Sequence, residues 1–449
     1  MNLFRLLRGP MPLMALGLGL VVLSGMAFIA FVERSGVDGS GVSALASLYF
    51  LANTVALGAF SGVEQEMSRA VSRERAVGRP IGPVARLVAR QASRLFLLVA
   101  AGVVVLSPVL VGRTMAGHWE LLVELVLAVF ATCCASAVRG VLAGTQRFGV
   151  YSATLATEGL SRLVLYSALL LAGSDSAWTF GLAFVLGQLF AALLGVALYW
   201  YGGDRNWRRL ASTGVASHVE GAGRTRFGIS AGLALLALAS LTNQAVVNLP
   251  PVVIAAKLVA TPETATAIAA AILLTRLPMF AFVPLQTTLL PRLTAGAARG
   301  ERRWVRQQTI RTVALCVVLG LLGIVLLAVL GPDLLALYRG KPSDLSNATM
   351  AGLGIGTVFL MSANVTQPAL LALGRHRTVL TAYLSGAGAM AVSFFVPVDP
   401  VTSAVLAAAA GPVTLAAVMA VSLVRATRHD RPGPDGASTP AEKDHALPQ

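Results

Sequence analysis

The chain alternates between long apolar runs and short polar segments. Twelve apolar runs stand out, at about 11–31, 43–61, 95–112, 119–141, 150–172, 178–201, 228–256, 265–290, 311–331, 350–373, 378–397 and 401–424. About 20 apolar residues at 1.5 Å each cover the roughly 30 Å of hydrocarbon in a bilayer, so each run predicts a membrane-crossing helix. The pattern therefore predicts an all-α integral membrane protein with six helices in 1–201, a basic linker over 202–227, six more in 228–424 and a disordered tail over 425–449. The first run follows Arg5 and Arg8 and is too long for the apolar region of a signal peptide, so it is read as an uncleaved first helix.

Composition agrees with the pattern: 56% of the 449 residues are hydrophobic, 12% are charged and the mean hydropathy is +0.75. The net charge of +15 does not indicate nucleic acid, because the arginines sit in short segments between apolar runs. With both termini inside, 28 of the 35 lysines and arginines fall on inner segments, five fall outside (Arg34, Arg113, Lys257, Arg339, Lys341) and two (Arg162, Arg276) lie within spans. That bias orients the chain with cytoplasmic termini in the plasma membrane. Cys133, Cys134 and Cys316 lie in apolar runs and the five histidines are scattered, so neither a disulfide nor a metal site is expected, and no cofactor is.

The two halves share features at a spacing of 230 residues: Arg69 and Arg299, Arg73 and Arg303, Gly144 and Gly374, Arg147 and Arg377. Duplication of a six-helix unit predicts two bundles related by a pseudo-two-fold axis along the membrane normal, with a cavity between them.

Polar residues inside the apolar runs are the candidates for function. Arg276 sits in the middle of the eighth run, where a charge costs about 2.5 to 3.5 kcal/mol unless it faces protein or water. Gln286 follows on the same run. Glu158 and Arg162, spaced i, i+4, share a helix face; they are either a structural pair or a substrate or proton site. The seventh run carries Asn243, Gln244, Asn248, Pro250 and Pro251, so that helix is expected to be tilted, bent or broken, with its amides lining a lumen or bonding neighbouring helices. Asn53, Asn364 and Gln367 are weaker instances. Glu158 reads as the only deep acid, with Glu124 nearer the outer end. The longest outer segment, Gly331 to Met350, carries no histidine and too little chemistry for a membrane-embedded glycan polymerase or ligase, so no enzymatic activity is expected.

The segments LLTRLPMFAFVPLQTTLLPRL, RGVLAGTQRFGVYSATLATEGLSRLVLY and LALGRHRTVLTAYL resemble polysaccharide-biosynthesis flippases of the multidrug, oligosaccharidyl-lipid and polysaccharide exporter superfamily. The resemblance implies two bundles that open alternately to each side, with a cationic interior that accepts a polyprenyl-pyrophosphate-linked oligosaccharide. By position, Arg276, Arg162 and Glu158 match the charged residues of those segments, with Glu158 the coupling candidate. The expected partners are the lipid-linked glycan, membrane lipids and H+ or Na+; the chain is read as a monomer that associates with a glycan polymerase or ligase. A multidrug cation antiporter and a lipid II flippase are the alternatives.

Overall fold

The computed structural model describes residues 10–201, 230–279, 293, 296–297 and 299–428. The principal helices in chain order are α1 (Pro10–Glu33), α2 (Gly39–Ala52), α3 (Gly58–Ala76), α4 (Gly82–Val105), α5 (Trp119–Gly144), α6 (Phe148–Leu171), α7 (Ala177–Tyr201), α8 (Ala231–Lys257), α9 (Pro262–Thr275), α10 (Arg302–Arg339), α11 (Asn347–Ala372), α12 (His376–Ser393) and α13 (Pro400–Arg428). Helices α2 and α3 join through a π-helical turn, Asn53–Leu57, into one 38-residue span. Among the described residues, ten spans are long and apolar enough to cross a membrane; the other two crossings of the twelve-helix fold start at α9, whose helix ends at Thr275, and run along the 18-residue α12.

Helices run further than hydropathy alone indicates. Arg69, Arg73 and Arg75 lie on α3, and Arg86, Arg90 and Arg94 on α4, because a helix keeps its hydrogen bonds after it leaves the hydrocarbon. Helix α10 continues to Arg339, so most of the expected outer loop is helix and only residues 340–346 connect it to α11. Arg425 to Arg428 belong to α13; the remainder of the expected tail, 429–449, and nearly all of the linker, up to residue 229, lie outside the described residues.

In the N-terminal half α1 packs on α6, α6 on α7, α7 on α5 and α5 on α3; in the C-terminal half α10 packs on α11, α11 on α13 and α13 on α12. Helix α8 touches both halves, lying on α2 and α3 on one side and on α12 and α13 on the other. The two-bundle architecture about an axis along the membrane normal is as expected, but the 230-residue spacing is not its register. Arg73 is near the end of α3, whereas Arg303 is the second residue of α10. The corner between α5 and α6 matches the one between α11 and α12: Gln146 and Gly374 both take positive φ (60° and 74°), and the next amides, of Arg147 and Arg375, donate back to Leu142 and Leu370. The fold thus equates Arg147 with Arg375, not with Arg377.

Candidate functional site

Arg276 stands at the meeting of the two halves. Its helix, α9, is a run of small residues that sinks almost completely into protein; Ala265 and Ala269 lie against Ser43, Ala46 and Ser47 of α2, a contact of small side chains that lets two helices approach closely. The helix stops after 14 residues, the same length as α2, and Arg276 occupies the break as Asn53 does in the other half.

The guanidinium is 6% exposed and is held by α8. One nitrogen donates to Asn248 Oδ1 at 3.0 Å and another to the carbonyl of Val247. That carbonyl is available because Pro251, four residues on, has no N–H to return to it. Of the three expected outcomes, tilted, bent or broken, the last is excluded, because the helix stays continuous through Pro250 and Pro251, and Pro251 frees the Val247 acceptor for an arginine. Asn248 Nδ2 in turn donates to Gln244 Oε1 at 3.0 Å, one turn along α8. Three of the predicted residues, Arg276, Asn248 and Gln244, thus form one chain. Across the interface the guanidinium lies 5.7 Å from the ring centroid of Phe50, a cation–π contact with α2.

A second set of charges fills the N-terminal half. Glu158, 3% exposed, accepts from Arg162 at 2.8 Å with one oxygen and from Arg139 at 2.6 Å with the other. Arg162 also donates to the Phe184 carbonyl at 2.9 Å, crossing α7 at Gly187, where a Cβ would overlap its side chain. Arg139 donates to Thr154 Oγ1 at 3.2 Å. Sequence reading placed Arg139 on an inner segment; it is buried in α5, because the helix continues past the end of the apolar run. Nor is Glu158 the only deep acid. Glu64 accepts from the Tyr151 hydroxyl at 2.7 Å, Glu124 is wholly buried against Gly181 with neither oxygen hydrogen-bonded, and Glu33 is buried at the end of α1. The i, i+4 spacing found Arg162; no local spacing links Glu158 to Arg139, 19 residues away on another helix.

The two sets are joined by rings. Arg162 lies 4.3 Å from the centroid of Phe184, Phe184 is 5.7 Å from Tyr49, Tyr49 is 5.2 Å from Phe50, and Phe50 carries Arg276 at 5.7 Å. A wall of three aromatic rings therefore separates two buried cationic centres. Among the described residues, the space beside Arg276 is a cavity of about 20 Å³ between Val247, Thr275 and Pro412, room for about one water.

The remaining candidates lie apart from this chain. Asn53 donates to the Tyr49 carbonyl at 2.8 Å, which satisfies its amide within α2 and the π turn. Asn364 Nδ2 meets Met279 Sδ at 3.8 Å, and Gln367 accepts from the Tyr383 hydroxyl at 2.9 Å. Asn243 is half-buried on α8, and Gln286 lies outside the described residues.

The halves are also tied directly where α1 and α10 end. Arg339, last residue of α10, donates to Glu33 at 2.7 Å, and Lys341 reaches the other Glu33 oxygen at 3.4 Å. Arg34 donates at 2.6 Å to the carbonyls of Leu337 and Tyr338, two of the orphan acceptors at the end of α10.

No family model matches the chain. Two curated proteins, the uncharacterized protein MT1558/MT1560 of Mycobacterium tuberculosis (strain CDC 1551 / Oshkosh) and the uncharacterized protein Rv1510 of Mycobacterium tuberculosis (strain ATCC 25618 / H37Rv), are each 27% identical to it over 380 residues, 83% of this chain and 82% of theirs. Among solved structures, the inward-facing conformation of a multidrug resistance MATE family transporter of the MOP superfamily superposes with a TM-score of 0.67 at 12% identity, covering 92% of this chain and 99% of that one. The outward-facing conformation of a MATE family transporter gives 0.56 at 13% identity, covering 94% and 97%. A mutant of the Vibrio cholerae MATE transporter VcmN gives 0.64 at 14% identity, covering 94% and 97%. The chain therefore has the MATE transporter fold, superposing better on the inward-facing form than on the outward-facing one.

Proposed function

We propose that this protein is a flippase, a transporter and not an enzyme, that carries a polyprenyl-pyrophosphate-linked oligosaccharide across the plasma membrane by alternating access between its two halves. The observation that carries the reading is the placement of Arg276: a buried cation without a carboxylate partner among the described residues, at the break of α9, held by neutral groups of α8 and by a ring from the other half. When α2 separates from α9, Arg276 loses the Phe50 ring and gains a crevice. A pyrophosphate there replaces the Val247 carbonyl and the Asn248 oxygen with charge-assisted, two-pronged hydrogen bonds. Gln244, Asn248 and the aromatic wall of Phe50, Tyr49 and Phe184 supply amides and ring faces for sugars.

A multidrug cation antiporter, the reading suggested by the similar solved structures, fits this interior less well. Arg276 has no carboxylate partner among the described residues, so a cationic substrate beside it meets repulsion; the deep acids Glu158, Glu64 and Glu124 all belong to the N-terminal half. Glu158 remains the proposed coupling group for H+ or Na+. In the orientation set by the arginine distribution, both termini are cytoplasmic and residues 340–346 face out; in a cysteine-free background a cysteine at Ser343 is expected to react with an impermeant reagent in intact cells.

The test of function is depletion in the native host, followed by analysis of lipid-linked sugars on the cytoplasmic face. Accumulation of one polyprenyl-pyrophosphate oligosaccharide is expected. Unchanged lipid-linked sugars, with raised sensitivity to cationic drugs, would select the antiporter instead.

A further inference from the structure

The C-terminal half has a cavity of about 540 Å³ at its inner end, within the roughly 300–1,000 Å³ of pockets that hold small ligands. Three helices bring an arginine each: Arg302 from the first turn of α10, Arg375 from the N-cap of α12 and Arg425 from near the end of α13, with Thr378 and Ser422 beside them. Among the described residues no carboxylate lines it.

The charges are placed against the grain of the helices. The start of a helix carries partial positive charge and favours acids; α10 has Glu301 at its N-cap, paired with Arg299, but neither α10 nor α12 has an acid in its first turn or a side-chain cap. A preference for basic residues at cytoplasmic ends accounts for their sign. It does not account for the convergence of two helix starts and three guanidiniums on one hollow that no carboxylate lines among the described residues. The matching corner of the other half has no such surplus: Arg147, counterpart of Arg375, donates to the carbonyls of Leu198 and Tyr199 at the end of α7.

The cavity also adjoins lipid-facing surface. Val421, one turn before Arg425 on α13, is 50% exposed, and Ile310, two turns beyond Arg302 on α10, is 48% exposed. Apolar side chains thus continue from the arginines toward the membrane interior, where acyl chains would lie.

We propose that this cavity binds the phosphate headgroup of an anionic lipid from the cytoplasmic leaflet, with the three guanidiniums gripping the phosphate and the acyl chains lying over Val421 and Ile310. Basic pockets between helices on this side of a membrane are suited to such headgroups. The site is separate from Arg276 and independent of the substrate proposed above, and depends on that reading only for the orientation of the chain.

The experiment uses the full-length protein in nanodiscs containing both phosphatidylglycerol and phosphatidylcholine, with lipids retained after extraction counted by native mass spectrometry. The wild type is expected to retain phosphatidylglycerol selectively. The double change Arg375→Gln, Arg425→Gln should lower that retention roughly a hundredfold, about tenfold for each charge-assisted hydrogen bond removed. Arg299→Gln, which removes a basic residue held by Glu301 outside the cavity, should leave retention unchanged. Absence of selectivity in the wild type, equal retention by the double variant or an equal loss in Arg299→Gln overturns the assignment. So does displacement of the lipid by millimolar inorganic pyrophosphate, which would make the ligand a soluble phosphate. Equal melting temperatures of the three proteins exclude misfolding as the cause.

Discussion

The two halves of this protein share a fold and treat buried charge in opposite ways. In the N-terminal half Arg139 and Arg162 clasp Glu158 between three helices. In the matching register of the C-terminal half the corresponding residues are Gln367, Met390 and Gly386, and the polar contact is one hydrogen bond from Tyr383 to Gln367. The second helix reverses the pattern: both halves break it after 14 residues, but the N-terminal break carries Asn53, satisfied by its own helix, and the C-terminal break carries Arg276. A charge clasped by opposite charges in its own half stays put when the halves part. One held by amides, a carbonyl and a ring from the other half can exchange partners, so the asymmetry separates charges bound within one half from a charge held across both.

The most damaging change should be Glu158→Gln, which leaves two buried guanidiniums short of their counter-charge at a cost of about 3–5 kcal/mol. It should show as a large fall in melting temperature and membrane abundance. Giving the site the character of its counterpart, with Arg139→Gln and Arg162→Met added, should recover most of the loss, since a buried charge cluster replaced as a whole is often neutral. Failure of the triple variant to recover would mean that the charges themselves are needed.

Arg276→Ala should behave differently. It strands the Asn248 oxygen and the Val247 carbonyl, costing about 1–3 kcal/mol, so abundance falls slightly while translocation of the lipid-linked sugar is lost. Arg276→Lys should recover transport in part, keeping the charge but not the planar fork. Normal transport by the alanine variant would remove the functional half of the comparison.

Smaller effects test the symmetry. Tyr383→Phe leaves the Gln367 oxygen without its donor and should cost about 1 kcal/mol, well below the loss from Glu158→Gln, when both are measured by thermal denaturation. The matching corners offer the finest test. Gln146 takes a left-handed conformation that costs a non-glycine residue about 1–2 kcal/mol, partly offset by the greater freedom of glycine when unfolded. Gln146→Gly should therefore raise stability by about 0.5–1 kcal/mol, and Gly374→Gln should lower it by a similar amount, since nothing lies near Gly374 to obstruct a side chain.

Whatever depends on position along the chain was legible in the amino-acid order. Run lengths set the number of crossings, the arginine distribution indicated the expected orientation, and a lone cation deep in an apolar run marked Arg276. The i, i+4 rule paired Glu158 with Arg162 because both lie on one helix, and the paired prolines were visible although their consequence, a free carbonyl at Val247, was not. Which faces meet was settled only by packing. A helix of a soluble protein announces its inner face by an apolar stripe, but a membrane helix is apolar both toward lipid and toward its neighbours, so its rotation leaves little trace in the sequence. Arg139 reaching Glu158, the rings from Phe184 to Phe50 and the gathering of Arg302, Arg375 and Arg425 all depend on that rotation. The register between the halves was hidden for a related reason: connections of different length shift corresponding residues, and only the shared corner geometry at Gln146 and Gly374 aligns them.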